Sequence, residues 1–399
     1  MKYLNQVNIK EKTLFIRVDF NVPLDRNRNI TDDTRIRAVL PTINYCLDES
    51  AKIVLASHLG RPKGRDESES LSPVARRLSR LLHKKVKFAP DCIGPETQKM
   101  IKEMKPGDVL LLENLRFHPE EEKNDPEFSR QLMTHIDVYV DDAFAVAHRA
   151  HASVEGVTHV APICVAGFLM QDEVLYFHKS MEDPARPLAA LIGGAKISSK
   201  LTALKNLLKN VDKMIIGGAM ANTFLKVMGY NVGKSLVDDK MLDTAKEMLA
   251  TALKKGVKFY LPVDCVVTQT LDNRAETKIT PVQEVPEDWI IADIGPATVT
   301  LFNEALQNAK TIVWNGPMGA FEIDAFSRGT MAMVHNVANS FALTIVGGGD
   351  TDVAIHKAGE YRKFSYVSTG GGAFIELLEG KKLPGILALE EWHKKHKDA

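Results

Sequence analysis

The sequence predicts an α/β protein of two doubly wound, Rossmann-like parallel-sheet domains joined by a hinge helix. Three observations carry this expectation. The chain has 399 residues, the length of two domains at roughly 100–200 residues each. Short β-branched runs alternate with stretches of helical period from end to end. The runs are apolar at nearly every position, which demands burial on both faces, as in a parallel sheet covered by helices.

In the first half the runs are Leu14–Val18, Ile53–Ala56, Val109–Leu112 and Val138–Val140. In the second half they are Leu188–Ile192, Met214–Ile216, Lys258–Leu261, Ile312–Trp314, Leu343–Val346 and Tyr366–Val367. Between them, Ser72-Pro73 starts a helix with an N-cap and a proline at the first helical position. Lys240–Lys255 and Arg328–Phe341 are further amphipathic stretches. Phe168–Met181 reads as one isolated helix, and the two prolines of EDPARP (Glu182–Pro187) end it. The expected domains are therefore 1–167, a hinge helix and linker at 168–185, and 186–378, with a tail at 379–399. No short-period repeat is present, which excludes solenoids.

Basic and acidic residues balance at 51 each. Such a chain has no global field for nucleic acid or an anionic membrane, so any anion site must be local. The four cysteines, Cys46, Cys92, Cys164 and Cys265, form no CxxC pair. A chain of this length needs no disulfide staples, so a reducing, cytoplasmic compartment is expected. The N-terminal MKYLNQVNIK lacks a signal-peptide core. The longest apolar run, Val160 to Met170, is too short to span a bilayer.

Ligands in open α/β sheets bind beyond the carboxyl ends of strands, and here those ends differ between halves. In the first half they carry polar and basic groups. These are Asp19 and Asn21; Ser57, His58, Gly60 and Arg61; Glu113, Asn114 and Arg116; and Asp141, Asp142, His148, Arg149 and His151. Arg35 follows on the polar loop ITDDTRI. Guanidinium forks match phosphate and carboxylate oxygens. Each arginine alone reads as a surface ion pair; Arg35, Arg61, Arg116 and Arg149 in one cleft imply a substrate with several negative charges.

In the second half the strand ends carry glycine: Gly193-Gly194, Gly217-Gly218, Gly347–Gly349 and Gly370–Gly372. Each is expected to enter a helix, exposing backbone N–H groups and the positive dipole end to an anion. Two glycine triplets favour nucleotide phosphates. Asp350, just after a triplet, is placed to hold Mg²⁺, which takes few carboxylates plus phosphate oxygens. Lys196 and Lys200 in GGAKISSK are four apart, which puts both on one helix face. Solvated surface lysines are the alternative; the adjacent glycine turn favours phosphate binding.

Two apparent motifs fail. GYNVGKS (Gly229–Ser235) has three residues between its glycines where a P-loop needs four, and it follows a helical stretch. It reads as a helix-terminating turn. The histidines of HRAH (His148–His151) have no cysteine nearby, which disfavours zinc.

Longer segments resemble the phosphoglycerate kinase family. They are RVDFNVP (Arg17–Pro23), SHLGRP (Ser57–Pro62), LLENLRFH (Leu111–His118), DAFAVAHRAHAS (Asp142–Ser153), GGAKISSK (Gly193–Lys200), WNGPMGAFE (Trp314–Glu322), GGGDT (Gly347–Thr351) and STGGGAFIELLEGKKLPGILAL (Ser368–Leu389). The resemblance implies that Asp19, Asn21, Arg35, His58, Arg61, Arg116 and Arg149 bind 3-phosphoglycerate, with Phe20, Leu59 and Gly60 beside them. It implies that Lys200, Glu322, Gly348, Gly349, Asp350 and Thr351 bind ATP or ADP, with Glu322 on the ribose hydroxyls. It makes Lys196 a phosphate contact and Asp350 the metal-side carboxylate, and it returns the C-terminal tail to the N-terminal domain.

The implied reaction is reversible phosphoryl transfer between ATP and the carboxylate of 3-phosphoglycerate. A carboxylate nucleophile needs no general base, so positioning and charge stabilisation should suffice. Lys200 and Arg35 are assigned to the transferring group, and Gly371 and Gly372 add helix-terminal donors. Separate ligand sites require hinge closure. A monomer is expected, without nucleic-acid or membrane partners. Ala145-Val146 and Ala297 depart from the family pattern and bear on loop shape and surface charge. The alternatives are a nicotinamide dehydrogenase, whose G-x-G-x-x-G spacing no glycine triplet has, and a two-domain small-molecule binding protein. The latter has no need of Asp350 with paired lysines.

Overall fold

The structure, a computed structural model, describes residues 1–396. The end of the expected tail, 397–399, lies outside the described residues. The chain divides into two units: Met1–Val174 with the segment from Lys382 onward, and Leu175–Lys381.

All ten expected runs are strands, with slightly different ends. The first unit holds β1 (Thr13–Arg17), β2 (Lys52–Ala56), β3 (Val86–Phe88), β4 (Val109–Leu111), β5 (Val138–Asp141) and β6 (Cys164–Ala166). They form one sheet in the order β3-β4-β2-β1-β5-β6. Every pairing is parallel. β1 is buried at all five positions, the two-sided burial that its unbroken apolar run demanded. Leu14, Ile16, Ile53, Leu55, Val109, Leu111, Val138 and Val140 pack with flanking helices into one core. Each such fully buried side chain contributes about 1.5–3 kcal/mol.

The second unit holds β7 (Leu188–Ile192), β8 (Lys213–Ile216), β9 (Lys258–Tyr260), β10 (Asp264–Thr268), β11 (Thr277–Pro281), β12 (Ile290–Ile294), β13 (Thr311–Asn315), β14 (Leu343–Val346) and β15 (Tyr366–Val367). Its parallel sheet has the order β15-β14-β13-β7-β8-β9. In both parallel sheets the strand order reverses beside the first strand, between β1 and β5 and between β7 and β13. Ligand crevices open at such reversals.

The sequence reading missed β3 and β6, which are too short to stand out, and a whole three-stranded sheet, β11-β10-β12. This sheet is antiparallel. β11 is mostly exposed, so a search for apolar runs passes over it. One face of this sheet covers its own cluster of Cys265, Val267, Val282, Val285 and Trp289.

The isolated helix spans Phe168–Phe177 and continues as a π-helical turn over His178–Glu182. The boundary between units falls within it. Its start is tied inside the first unit, where Phe168 N donates to Thr42 Oγ1 at 3.1 Å and Met170 N to Asp142 Oδ1 at 3.1 Å. Its end packs inside the second, where Tyr176 stacks on Tyr366 with ring centroids 4.5 Å apart. Arg328–Ala338 is shorter than expected, because Asn339 turns its side-chain amide back onto His335 O at 2.7 Å and stops the helix. The helix Pro384–Lys395 belongs to the first unit, where Gly385 N donates to Ala147 O at 2.9 Å and Trp392 Nε1 to Ala161 O at 3.3 Å. No helix among the described residues is long and apolar enough to cross a membrane.

Candidate active site

In the first unit, β1, β2, β4 and β5 deliver their carboxyl-end residues to one edge of the sheet. Asp19, just past β1, pairs with Arg35 and accepts from Asn21 N at 3.1 Å. Asn21 Oδ1 accepts from Gly60 N at 2.9 Å, and Arg116 Nη1 donates to Gly60 O at 2.7 Å. The loop after β2 is thereby held from both sides. Asn114 clamps Leu59 through both its amide atoms, and Phe20 N donates to Ser57 Oγ at 2.8 Å. Arg149 Nε donates to His148 Nε2 at 3.3 Å. Arg61 is exposed and makes neither a hydrogen bond nor an ion pair.

Two buried imidazoles report the field of this cluster. Burial pushes His58 well below its ordinary pKa, and Arg17, Arg116, Arg35 and Arg149 push it the same way. Burial also pushes His151 down to about 3, again with help from Arg17, Arg116 and Arg149. Both rings are neutral at physiological pH. The guanidiniums of Arg35, Arg116 and Arg149 therefore bear on one small region; Arg61 is not among the charges acting on either ring.

Sequence reading did not single out Arg17, which is fully buried inside β1. Its Nε donates to Ser153 Oγ at 2.8 Å, and its Nη2 lies 3.3 Å from His58 Nδ1 and 4.0 Å from Glu121 Oε1. A charged residue inside an apolar strand was the available signal, since such a group is buried only with partners.

In the second unit the glycine strand ends gather at the reversal between β7 and β13. Gly348 and Gly349 begin the helix Gly349–Ala358, and Gly370 and Gly371 begin Gly371–Leu378. A Cβ placed on Gly371 would stand 3.1 Å from Gly348 Cα, so two helix N-termini abut. Gly348 has φ +106°, a conformation that favours glycine. Asn315 Nδ2 donates to Gly347 O at 2.7 Å, and Gly316 N donates to Thr351 Oγ1 at 2.7 Å, which fixes the loop. Adjacent positive dipole ends suit a polyanion.

Lys200 Nζ donates to Gly193 O at 2.8 Å and Asn315 O at 3.3 Å, at the ends of β7 and β13. Burial pushes its pKa down to about 8, against the pull of the Asp350 carboxylate. The spacing of Lys196 and Lys200 predicts that they share one helix face, and the structure overturns it. The helix starts only at Leu201, with Lys200 as its N-cap. Before it, Ser198 N donates to Asp238 Oδ2 at 3.0 Å and Ser199 Oγ to Lys196 O at 2.7 Å, so turn bonds replace the first helical turn. Gly193-Gly194 accordingly leads into this turn and not directly into a helix. Lys196 is exposed.

A cavity of about 290 Å³ opens beside these groups, and Glu322 and Asp350 line it with Gly194, Gly218, Leu236 and Met318. Leu236 and Met318 escaped the sequence reading. Met318 stands in the quoted WNGPMGAFE, but an apolar wall residue carries no signature of its own. Asp350 is exposed and its carboxylate makes no hydrogen bond or ion pair. Ala297 is exposed on the first turn of a helix, and Ala145-Val146 lie in the 3₁₀ turn Phe144–Val146. GYNVGKS is a turn after the helix Met220–Val227, with Gly229 at φ +92°.

An arginine cluster at one parallel sheet and a glycine-led phosphate cradle at the other define a two-domain α/β phosphotransferase. The family model for phosphoglycerate kinase matches residues 4–381. The phosphoglycerate kinase of Geotalea uraniireducens is 66% identical over 393 residues, 98% of each chain. That of Aquifex aeolicus is 55% identical over 390 residues, again 98% of each. Among solved structures, phosphoglycerate kinase from Coxiella burnetii superposes with a TM-score of 0.90 at 42% identity, over 98% of each chain. That from Pyrococcus horikoshii gives 0.86 at 34% identity, over 99% of this chain and 100% of the other. The chain belongs to the phosphoglycerate kinase family and is an enzyme, a phosphotransferase of that specificity.

Proposed function

We propose that the first unit binds 3-phosphoglycerate and the second binds ATP or ADP, for reversible transfer of the γ-phosphoryl group to the acid's carboxylate. The observation that carries this division is the contrast in chemistry. One set is guanidinium forks around neutral imidazoles; the other is two abutting helix N-termini beside Lys200. Arg61, Arg116 and Arg149 anchor the acid's phosphate, while Arg35, held by Asp19, serves its carboxyl end. Asn21 and His58 orient the acid by hydrogen bonds, and Phe20, Leu59 and Gly60 shape the loops around it. In the second unit, Leu236 and Met318 offer an apolar wall for the base and Glu322 takes the ribose hydroxyls. Backbone N–H groups of Gly348, Gly349, Gly371 and Gly372 meet the phosphates. Thr351 holds the loop, Lys200 meets the transferring group, and Lys196 adds a second ammonium.

The residues fit Mg²⁺. The Asp350 carboxylate makes no hydrogen bond or ion pair and stands on the first turn of the helix that meets the phosphates. One carboxylate with phosphate oxygens and water is an ordinary magnesium set. When bound, Mg²⁺ supplies neutralisation of phosphate charge. The acid's carboxylate is already ionised, so no side chain need remove a proton. In-line transfer needs its oxygen within about 3–3.5 Å of the phosphorus. We further infer that the enzyme is monomeric, since each ligand set is complete within one copy of the chain. A reducing, cytoplasmic location is supported by four buried free cysteines.

Calorimetry tests the division. Arg61→Ala should weaken 3-phosphoglycerate binding and leave ADP binding intact, and Glu322→Ala should do the reverse. Equal weakening of both ligands by either substitution would remove the assignment. Asp350→Asn should lower kcat and raise the Mg²⁺ concentration needed for half-maximal turnover. Near-normal turnover at low Mg²⁺ would rule out Asp350 as the metal-side carboxylate.

A further inference from the structure

A second basic site lies in the first unit, lined by none of the residues just described. Arg28, Arg76, Arg77 and Arg80 line a pocket of about 400 Å³, within the usual range for small-ligand sites. Its carboxylates are already engaged. Asp33 takes the Arg77 fork at 2.8 and 2.6 Å and Arg37 Nε at 2.9 Å, while Asp32 Oδ1 accepts from Thr34 N at 2.8 Å and Thr34 Oγ1 at 2.6 Å.

Of the remaining arginines only Arg28 has a further carboxylate acting on it, that of Asp66, which is not part of the lining. Arg76 and Arg80 are exposed and make no hydrogen bond or ion pair. They stand four apart on the helix Ser72–Leu81, a like-charge spacing that destabilises a helix. The helix dipole accommodates Arg80 in the last turn, but not Arg76. Arg28 has φ +61° on a tight loop in which its N–H donates to Asp25 O at 2.9 Å. Its only side-chain hydrogen bond is a long one, from Nη2 to Ser70 O at 3.4 Å, and its Nε is buried without a partner. Three guanidiniums thus face one concavity with donors to spare.

We propose that this pocket binds the di- or triphosphate group of a small molecule, separately from the substrate and nucleotide sites. Planar donor forks select phosphate oxygens, and several forks in one concavity select a chain of them. No aromatic side chain lines the pocket and its apolar residues are Ile30 and Pro73, so it grips a phosphate chain and offers no stacking face for a base. The balanced charge of the whole chain makes the site local. Its size suits a small molecule and not a nucleic-acid duplex.

The probe is inorganic tripolyphosphate, titrated calorimetrically into the full chain at low ionic strength. Arg76→Gln/Arg80→Gln, at exposed positions that folding tolerates, should weaken one class of binding at least tenfold. kcat and the KM values for ATP and 3-phosphoglycerate should stay unchanged. Arg28→Gln should weaken the same class. Lys254→Gln/Lys255→Gln, which removes the same charge elsewhere, should leave it intact. ATP competing for this class would show that a nucleotide's phosphate tail enters; failure to compete would restrict the pocket to free inorganic chains. Identical isotherms for the native and Arg76→Gln/Arg80→Gln chains would overturn the proposal. So would equal weakening by the lysine pair, since the effect would then be net charge alone.

Discussion

Replacing Lys200 by alanine is expected to lower kcat by roughly 10²–10³-fold, the loss typical when one preorganised donor to developing charge is removed. The side chain is half-buried between the ends of β7 and β13, where two backbone carbonyls fix its Nζ at a point a solvent cation does not reproduce. The titration of this lysine adds a sharper signature. Burial lowers its pKa to about 8, because the ammonium is the form that desolvation disfavours. In the proposed role only that charged form stabilises the transferring phosphoryl group. kcat/KM, which reports the free enzyme, should therefore fall as pH rises through about 8. Bound nucleotide favours the charged form, so the corresponding fall in kcat should lie at higher pH. Lys200→Arg stays charged across this range, and its kcat/KM should be lower but flat. An alkaline fall near pH 8 that survives in Lys200→Arg would remove Lys200 from this role.

Arg35→Ala should cost kcat/KM for 3-phosphoglycerate roughly 10²–10³-fold, for two separable reasons. The guanidinium proposed to meet the acid is lost. Asp19, largely buried and paired with Arg35, is also left as an uncompensated negative charge where an anion must bind. Two unit charges about 4 Å apart repel by several kcal/mol at the effective dielectric of a protein surface. Adding Asp19→Asn to Arg35→Ala should therefore recover roughly tenfold in KM, while kcat stays low. Asp19→Asn alone should loosen Arg35 and cost less than Arg35→Ala. If the double variant is no better than Arg35→Ala, the pair is not electrostatically coupled to the substrate. If Arg35→Ala is within a few-fold of the native enzyme, Arg35 has no part in the reaction.

The strands were legible because two-sided burial writes itself into consecutive residues, as in Leu14–Val18 and Leu188–Ile192. The three-stranded sheet was not, because β11 exposes most of its side chains and pairs with β10 alone, so no apolar run marks it. The glycine triplets were legible because a helix N-terminus that meets an anion needs glycine conformations local to the chain. The helix expected through Lys196 and Lys200 failed where Ser198 bonded to Asp238, forty residues away in sequence. A spacing rule sees only neighbours, and this competitor was not one.

By itself the sequence determined the class of fold, the strand ends and the kinds of chemistry they carry, and through its long motifs the family. These follow from local burial, local backbone conformation and residue type. The tertiary structure alone decided which charges meet. It brought Arg17 under His58, turned Arg116 onto Gly60, and set the N-terminus at Gly371 against Gly348. It also gathered Arg28 with Arg76 and Arg80. A guanidinium in a sequence is only a charge; its neighbours within a few ångströms set its burial and its partners, and those neighbours come from distant parts of the chain.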